Sequence, residues 1–115
     1  MIIKNVLSGK KNFSLVYNKG KSVGDKFVVV FYKKNGMDTY RTAFLASKKV
    51  GNAVKRNRAR RLMKEAFRSM NNFDICGYDI IFIARNTIDG KKCDDVKKSM
   101  ISALKRTTII RKKKC

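Results

Sequence analysis

Apolar positions along the chain follow two periods, one helical and one extended, and the changes between them mark the elements. From Lys10 to Lys19, Phe13, Val16 and Tyr17 recur at i, i+3 and i+4, and Gly20 follows as a natural C-cap, so a short helix is expected there. Lys26 to Lys33 (K-F-V-V-V-F-Y-K) is β-branched and aromatic, and Asn35-Gly36 after it is a strong type I′ hairpin signal. The return strand is expected from about Asp38 to Ser47, with Tyr40, Thr42, Phe44 and Ala46 on one face and Arg41, Ala43 and Leu45 on the other. These two strands would form an antiparallel pair. Val50-Gly51-Asn52 makes a turn, and Asn52 caps a helix that ends near Met70. On that helix Ala59, Leu62, Met63, Ala66, Phe67 and Met70 share one side.

The linker from Asn71 to Gly77 leads to Tyr78–Ala84 (Y-D-I-I-F-I-A), whose nearly unbroken apolar run predicts a buried strand closed by Arg85. A loop over 86–92 precedes a last helix from about Asp94 to Arg106, with Val96, Met100, Ile101 and Leu104 turned inward. Residues 1–9 carry little pattern, and one more strand fits in the N-terminal half. The order describes a single α+β domain over 1–115, a small two-layer α/β sandwich with a mixed sheet and a short, mobile basic tail at 108–115. If the strands flanking the long helix are parallel neighbours, the unit is a βαβ crossover, which is right-handed by general rule.

Charge changes the picture from fold to function. The 115 residues hold 29 Lys and Arg against 8 Asp and Glu, a net charge of +21. Hydrophobic content of 43% is enough for a folded core, so this charge points to a polyanionic partner rather than to disorder. No apolar run approaches a membrane span, and the first ten residues lack the apolar centre of a signal peptide, so a cytoplasmic protein is expected. Cys76, Cys93 and Cys115 have no paired spacing and the chain has no histidine, so neither a disulfide framework nor a zinc site is expected. The absence of histidine also removes the commonest general acid–base group. Asp94-Asp95, the one close carboxylate pair, reads as favourable charge at a helix N-terminus rather than as a two-metal nuclease site. No catalytic residue is therefore expected on this chain.

The charge concentrates between Lys48 and Arg68, where Lys48, Lys49, Lys55, Arg56, Arg58, Arg60, Arg61, Lys64 and Arg68 stand against a single acid, Glu65. Asn57, Arg61, Lys64 and Arg68 fall opposite the helix's apolar side, and like charges at i, i+3 and i+4 repel by a few tenths of a kcal/mol per pair. An external anion explains that arrangement better than solvation does, since solvated faces interleave both signs. Membrane binding would need a wide, unpartnered apolar face. The small-and-large apolar side here suits packing, so nucleic acid is the expected partner. Arginine favours bidentate phosphate contact, and Asn57 between Arg56 and Arg58 suits a sugar hydroxyl or base edge. On spacing alone, Phe13 and Tyr17 are ordinary core aromatics.

The wording of the stretch is more specific. S-K-K-V-G-N-A-V-K-R-N-R-A-R-R, at 47–61, strongly resembles the signature of the protein subunit of bacterial ribonuclease P, in which an R-N-R helix start follows a K-K-x-G-x-A-V turn. Phe13 and Tyr17 match that family's F-x-x-x-F/Y helix, Arg41 its strand-opening arginine, and I-I-F-I-A-R its later strand. The resemblance runs in order from about residue 8 to residue 107. It implies that catalysis belongs to an RNA, which removes the 5′ leader of precursor tRNA with Mg2+ bound mainly by the RNA and its substrate. The protein would bind both the catalytic RNA and the leader. It also implies a left-handed crossover, like that in the second domain of the fifth small-subunit ribosomal protein. Lys48, Lys49, Asn52, Lys55, Arg56, Asn57, Arg58, Arg60, Arg61, Lys64 and Arg68 would then meet the catalytic RNA. Phe13, Tyr17, Val29, Phe31 and Arg85 would line the leader cleft. Phe31 stands where the family often has tyrosine, which keeps stacking and loses a hydroxyl; Arg60 replaces a common lysine and keeps the charge. A structural RNA-binding or ribosome-associated protein without a processing role is the alternative.

Overall fold

The computed structural model describes residues 6–70, 73 and 75–109. Residues 1–5, the linker positions 71, 72 and 74, and 110–115 with their basic run lie outside the described residues. The elements are α1 (Lys10–Lys19), β1 (Lys21–Gly24), β2 (Val28–Lys34), β3 (Arg41–Ala46), α2 (Ala53–Ser69), β4 (Tyr78–Ala84) and α3 (Cys93–Lys105), with a 3-10 turn at Asn86–Ile88. The additional N-terminal strand is β1, a four-residue edge.

The sheet order is β1-β2-β4-β3. β1 and β2 are antiparallel, β2 and β4 are antiparallel, and β3 lies parallel to β4, to which α2 connects it. The expected hairpin between β2 and β3 is therefore absent: β4 lies between them. β4 takes the centre because it is apolar on both faces, with Ile80, Ile81 and Phe82 all at 0% exposure. The two flanking strands then stand about 9–10 Å apart, twice the strand spacing and too far for a two-residue turn. The Asn35–Gly36 signal still marks a reversal, with Asn35 Oδ1 accepting from the Met37 N–H at 2.8 Å and Gly36 at φ 71°. The loop crosses the start of β4 by two backbone bonds, Asn35 N–H to Gly77 O at 2.8 Å and Gly77 N–H to Thr39 O at 3.1 Å.

Alternation along the strands makes two unequal faces. One carries the rows Val23-Val30-Phe82-Phe44 and Lys21-Tyr32-Ile80-Thr42, and α2 and α3 cover it to form the main core. There Phe44 stacks on Phe82 at 5.4 Å between ring centres, and Phe67 of α2 packs against both. Ala59, Met63 and Ala66 seat α2, as its periodicity predicts. On α3, Val96, Met100 and Leu104 point inward as expected, but Ile101 is only half-buried and Ser99 is turned in. The reason is a bond: Ser99 Oγ donates to Asp25 Oδ1 at 2.7 Å and accepts from the Phe27 N–H at 3.1 Å. The opposite face carries Gly24-Val29-Ile83-Leu45 and Ser22-Phe31-Ile81-Ala43. α1 covers it only in part, through Val16 together with Leu7.

Gly20 ends α1 without the left-handed cap its identity suggests; its φ is −91°. Glycine is needed for space instead, because a Cβ there would stand 2.5 Å from the carbonyl oxygens of both Tyr32 and Val16. At the chain's other end the segment expected to be a mobile tail is packed as far as Ile109, which is buried and whose N–H bonds Thr107 Oγ1.

Candidate nucleic-acid interface

The start of α2 is held so that its cations face outward. Val50 is buried and anchors the turn, which closes by Val50 N–H to Ser47 O and Gly51 N–H to Lys48 O, both 3.1 Å. Gly51 sits at φ 143°, a conformation that glycine accepts without strain. Asn52 Oδ1 then accepts from the Lys55 N–H at 3.0 Å, the expected cap. Lys48 and Lys49 lie exposed on this turn.

Along α2 the cations divide into three groups. Arg58 Nη2 donates to the Lys91 carbonyl at 3.0 Å, and Lys55 Nζ pairs with Asp89 at 3.2 Å, both toward the segment after the 3-10 turn. That pair is about half exposed on each side, so solvent screens it and it holds Lys55 only loosely. Arg60 donates to Asn57 Oδ1, which ties the exposed asparagine to its own helix. Arg56, Arg61, Lys64 and Arg68 make no ion pair among the described residues, and Arg61, Lys64 and Arg68 are exposed. The result is a ridge of positive charge with few internal partners.

The expected cleft residues come together on the half-covered face. Tyr17 is 40% exposed and meets Phe31 edge-on, with ring centres 5.0 Å apart at 86°. Burial pushes the Tyr17 phenol up, so it is neutral at physiological pH. Phe13, Phe31 and Ile83 are partly buried on the small cluster of Leu7, Val16, Ala43 and Ile81. Val29 sits beside Ile83, and across the edge strand stand only Ser22 and Gly24. A Cβ at Gly24 would meet nothing within 4 Å, so that wall of the groove is low and open. Core packing and an accessible aromatic floor are thus combined in the same side chains. Arg85 follows the last residue of β4, and its guanidinium donates to the Asp25 carbonyl at 2.8 Å, at the end of the groove rather than within it.

Three features lay beyond the sequence reading. A groove of about 270 Å³ at the β3 edge is lined by Phe13, Leu45 and Lys64 among others, and joins the basic ridge to the aromatic face. Arg41 holds Asp79 by two bonds, Nε to Oδ1 at 2.8 Å and Nη2 to Oδ2 at 2.7 Å, and Asn35 donates to the same carboxylate at 3.0 Å. The hydrogen bond to Asp79 raises the Arg41 pKa still further, more than burial lowers it. The signal for this pair was an aspartate inside an apolar strand, which demands a partner. Finally, Arg106 donates to Asp25 Oδ2 at 2.6 Å and to Gly24 O at 2.8 Å, tying the end of α3 to the β1–β2 turn. Burial opposes ionisation of Asp25. Bonds from the Lys26 N–H, Ser99, Ser102 and Arg106 outweigh it and hold the carboxyl below the usual range.

Comparison with known proteins fits this geometry. The family model described as Ribonuclease P matches residues 1–108. The ribonuclease P protein component of Clostridioides difficile is 43% identical over 104 residues, covering 90% of this chain and 91% of that one. That of Caldanaerobacter subterraneus is 37% identical over 107 residues, covering 93% and 92%. Among solved structures, the Staphylococcus aureus RNase P protein superposes with a TM-score of 0.81 at 29% identity, covering 94% of this chain and 99% of that one. The Thermotoga maritima protein gives 0.79 at 30% identity, covering 90% and 98%. With family, relatives and fold in agreement across nearly the whole chain, the protein belongs to the ribonuclease P protein family and is a protein component of that ribonucleoprotein.

Proposed function

We propose that the basic ridge of α2 and the preceding turn bind the catalytic RNA of ribonuclease P, while the aromatic face beneath α1 holds the single-stranded 5′ leader of precursor tRNA. The observation that carries this reading is the continuity of the two surfaces: Lys64 of the ridge and Phe13 of the aromatic face line one groove at the β3 edge. A strand leaving a cleavage site near the ridge can run directly onto the aromatic floor. Cations that track a backbone beside rings that accept any base are what sequence-tolerant single-strand binding requires. Phosphate contacts from the ridge would set register without reading sequence.

In this reading the RNA carries out hydrolysis, with Mg2+ held by RNA and substrate. Asp25, Asp79 and Asp89 are each engaged by a cation. Work on tRNA suits a cytoplasmic assembly, and no helix of the described residues is long and apolar enough to cross a membrane.

The test is cleavage of precursor tRNA at low magnesium by a bacterial ribonuclease P RNA, with and without the protein, alongside protein alone. Cleavage restored only by both together supports the reading. Tight, salt-sensitive RNA binding without rescue would favour a structural RNA-binding role, and cutting by the protein alone would overturn the assignment of chemistry to RNA.

A further inference from the structure

A second basic site lies at the far end of the sheet from the R-N-R ridge. Ala46, which leads into the turn before α2, pairs with Ala84, and Ala84 pairs with Val28. The ridge therefore rises from the Val28 end of β2. At the other end of that seven-residue strand, about 20 Å away, a cavity of about 520 Å³ opens between the end of α1 and the first two strands. Lys19, Lys21, Lys33 and Lys34 line it together with Tyr32 and Tyr78, and no acidic residue does. Cross-strand register builds the cluster, since Lys21 stands opposite Tyr32 and Lys34 opposite Tyr78.

Two further observations separate this cavity from a merely solvated basic edge. None of the four lysines makes an ion pair among the described residues, and the nearby Asp79 is already held by Arg41. The two tyrosines are more than nine-tenths buried, yet neither hydroxyl has a hydrogen-bond partner among the described residues, and no buried side-chain N or O atom lacks one. Both hydroxyls therefore reach open space, as donors with no partner among the described residues. Gly20 seals the cavity's α1 side by its close approach to the Tyr32 carbonyl. Lys33 alternates to the other face of β2 from Tyr32 and its Nζ donates to the Lys34 carbonyl at 3.0 Å, so it closes the rim of the cavity. The ammonium groups of Lys19, Lys21 and Lys34 with two phenolic donors, in a volume typical of small-ligand sites, match a linear run of phosphates better than a single one.

We propose that this cavity is a triphosphate site, filled either by a free nucleoside triphosphate or by the 5′-triphosphate end of an RNA chain. The ammonium groups of Lys19, Lys21 and Lys34 neutralise the phosphates, and the hydroxyls of Tyr32 and Tyr78 donate to phosphate oxygens. Only the RNA source rests on the leader-binding role proposed above; the site itself does not.

The probes are inorganic tripolyphosphate and GTP, titrated into the full chain at 0.15 M salt and followed by amide shifts in NMR. The cavity predicts saturable shifts centred on residues 19–21, 32–34 and 78. The double variant K21E/K34E, confirmed folded by circular dichroism, should weaken them at least tenfold, whereas R58A/R61A should leave them within twofold. Y32F/Y78F, which removes only the hydroxyls, should weaken binding about threefold to tenfold. Shifts confined to 48–61, or affinity unmoved by K21E/K34E, overturn the proposal. The source is decided with synthetic leader RNAs bearing 5′-triphosphate or 5′-hydroxyl. A preference for triphosphate that K21E/K34E abolishes identifies the RNA end. Equal binding of the two RNAs, with GTP still bound, identifies the free nucleotide and leaves the leader reading untouched.

Discussion

Replacing Phe31 by leucine tests whether the aromatic floor acts on substrate or only supports the fold. The ring is partly buried and meets Tyr17 edge-to-face with ring centres 5.0 Å apart. Leucine keeps the apolar packing on the Ile81 cluster but removes the flat surface on which a base can lie. The structural cost is the edge-to-face interaction, about 0.5–1.5 kcal/mol, which lowers thermal stability by a few degrees without unfolding the protein. The functional cost is one base–aromatic stack, about 1–3 kcal/mol. It falls on precursor tRNA alone, because mature tRNA has no leader to stack. The ratio of precursor to mature tRNA affinity in the reconstituted holoenzyme should therefore drop by about 5- to 150-fold, while affinity for mature tRNA and for the catalytic RNA stays level. The assay measures both affinities at one salt and magnesium concentration, with a melting curve of the free variant. An unchanged ratio with a lowered melting temperature would refute the cleft, and would return Phe31 to the core role that spacing alone assigned to its neighbours Phe13 and Tyr17.

Three further outcomes are expected. R58A/R61A should weaken binding to the catalytic RNA and make the plot of log affinity against log salt shallower by about 0.7–0.9 for each phosphate that is no longer neutralised, measured by filter binding across a salt series; an unchanged slope would remove these arginines from the interface. D79A should destabilise the fold by about 2–4 kcal/mol in urea melts, because it leaves Arg41 and Asn35 facing a site with 6% exposure; R41M/D79A should recover part of that stability, and strictly additive effects would show that the pair is not coupled. The carboxyl of Asp25 is held below its ordinary range in the folded state, so its contribution to stability is present above the unfolded-chain value near 3.9 and is lost as pH falls through the lower folded value. D25N should accordingly be less stable than the parent at pH 6, with the difference shrinking as pH is lowered through 4; a constant difference would mean that the charge is not involved.

What the sequence disclosed was local. The apolar spacing of α1, α2 and α3 and the unbroken run of β4 fixed those elements to within a residue or two, since one helix face or one strand determines its own pattern. Strand partnership was not local. Asn35-Gly36 announces a reversal, and the nearest explanation is a hairpin. The sheet instead admits β4 between the two strands, because β4 is buried on both faces along nearly its whole length, whereas β3 is buried only at Thr42 and Ala43. β1, four residues with only Val23 half-buried, carries almost no pattern because an edge strand needs none. The ridge was legible because its charges are contiguous in the chain. That Phe13, Tyr17 and Phe31 share one partly exposed face was not legible from spacing, since their exposure follows from how little of the sheet α1 covers. The lysine cavity was not legible at all, because it gathers residues from α1, β1, β2 and β4 that share no spacing.

The distribution of the acids explains how so cationic a chain keeps a fixed shape. Of the 8 carboxylates, Asp25 fastens the β1–β2 turn to α3, Asp79 fastens β4 to β3 and to the loop that crosses it, and Asp89 meets Lys55 at the start of α2. Asp95 accepts from the Lys92 N–H at 3.1 Å and Asp94 sits in the first turn of α3, where negative charge is favoured. Each is placed at a junction between elements or at a helix end, and none of these five lies on the outward side of α2. Adding carboxylates there would relieve the like-charge repulsion along the helix, but would also compete with the phosphates for the same arginines. With the ridge on the catalytic RNA, as proposed above, RNA binding would be the event that relieves the repulsion. The free protein should therefore gain stability as catalytic RNA is added, and should gain less when Arg58 and Arg61 are alanine.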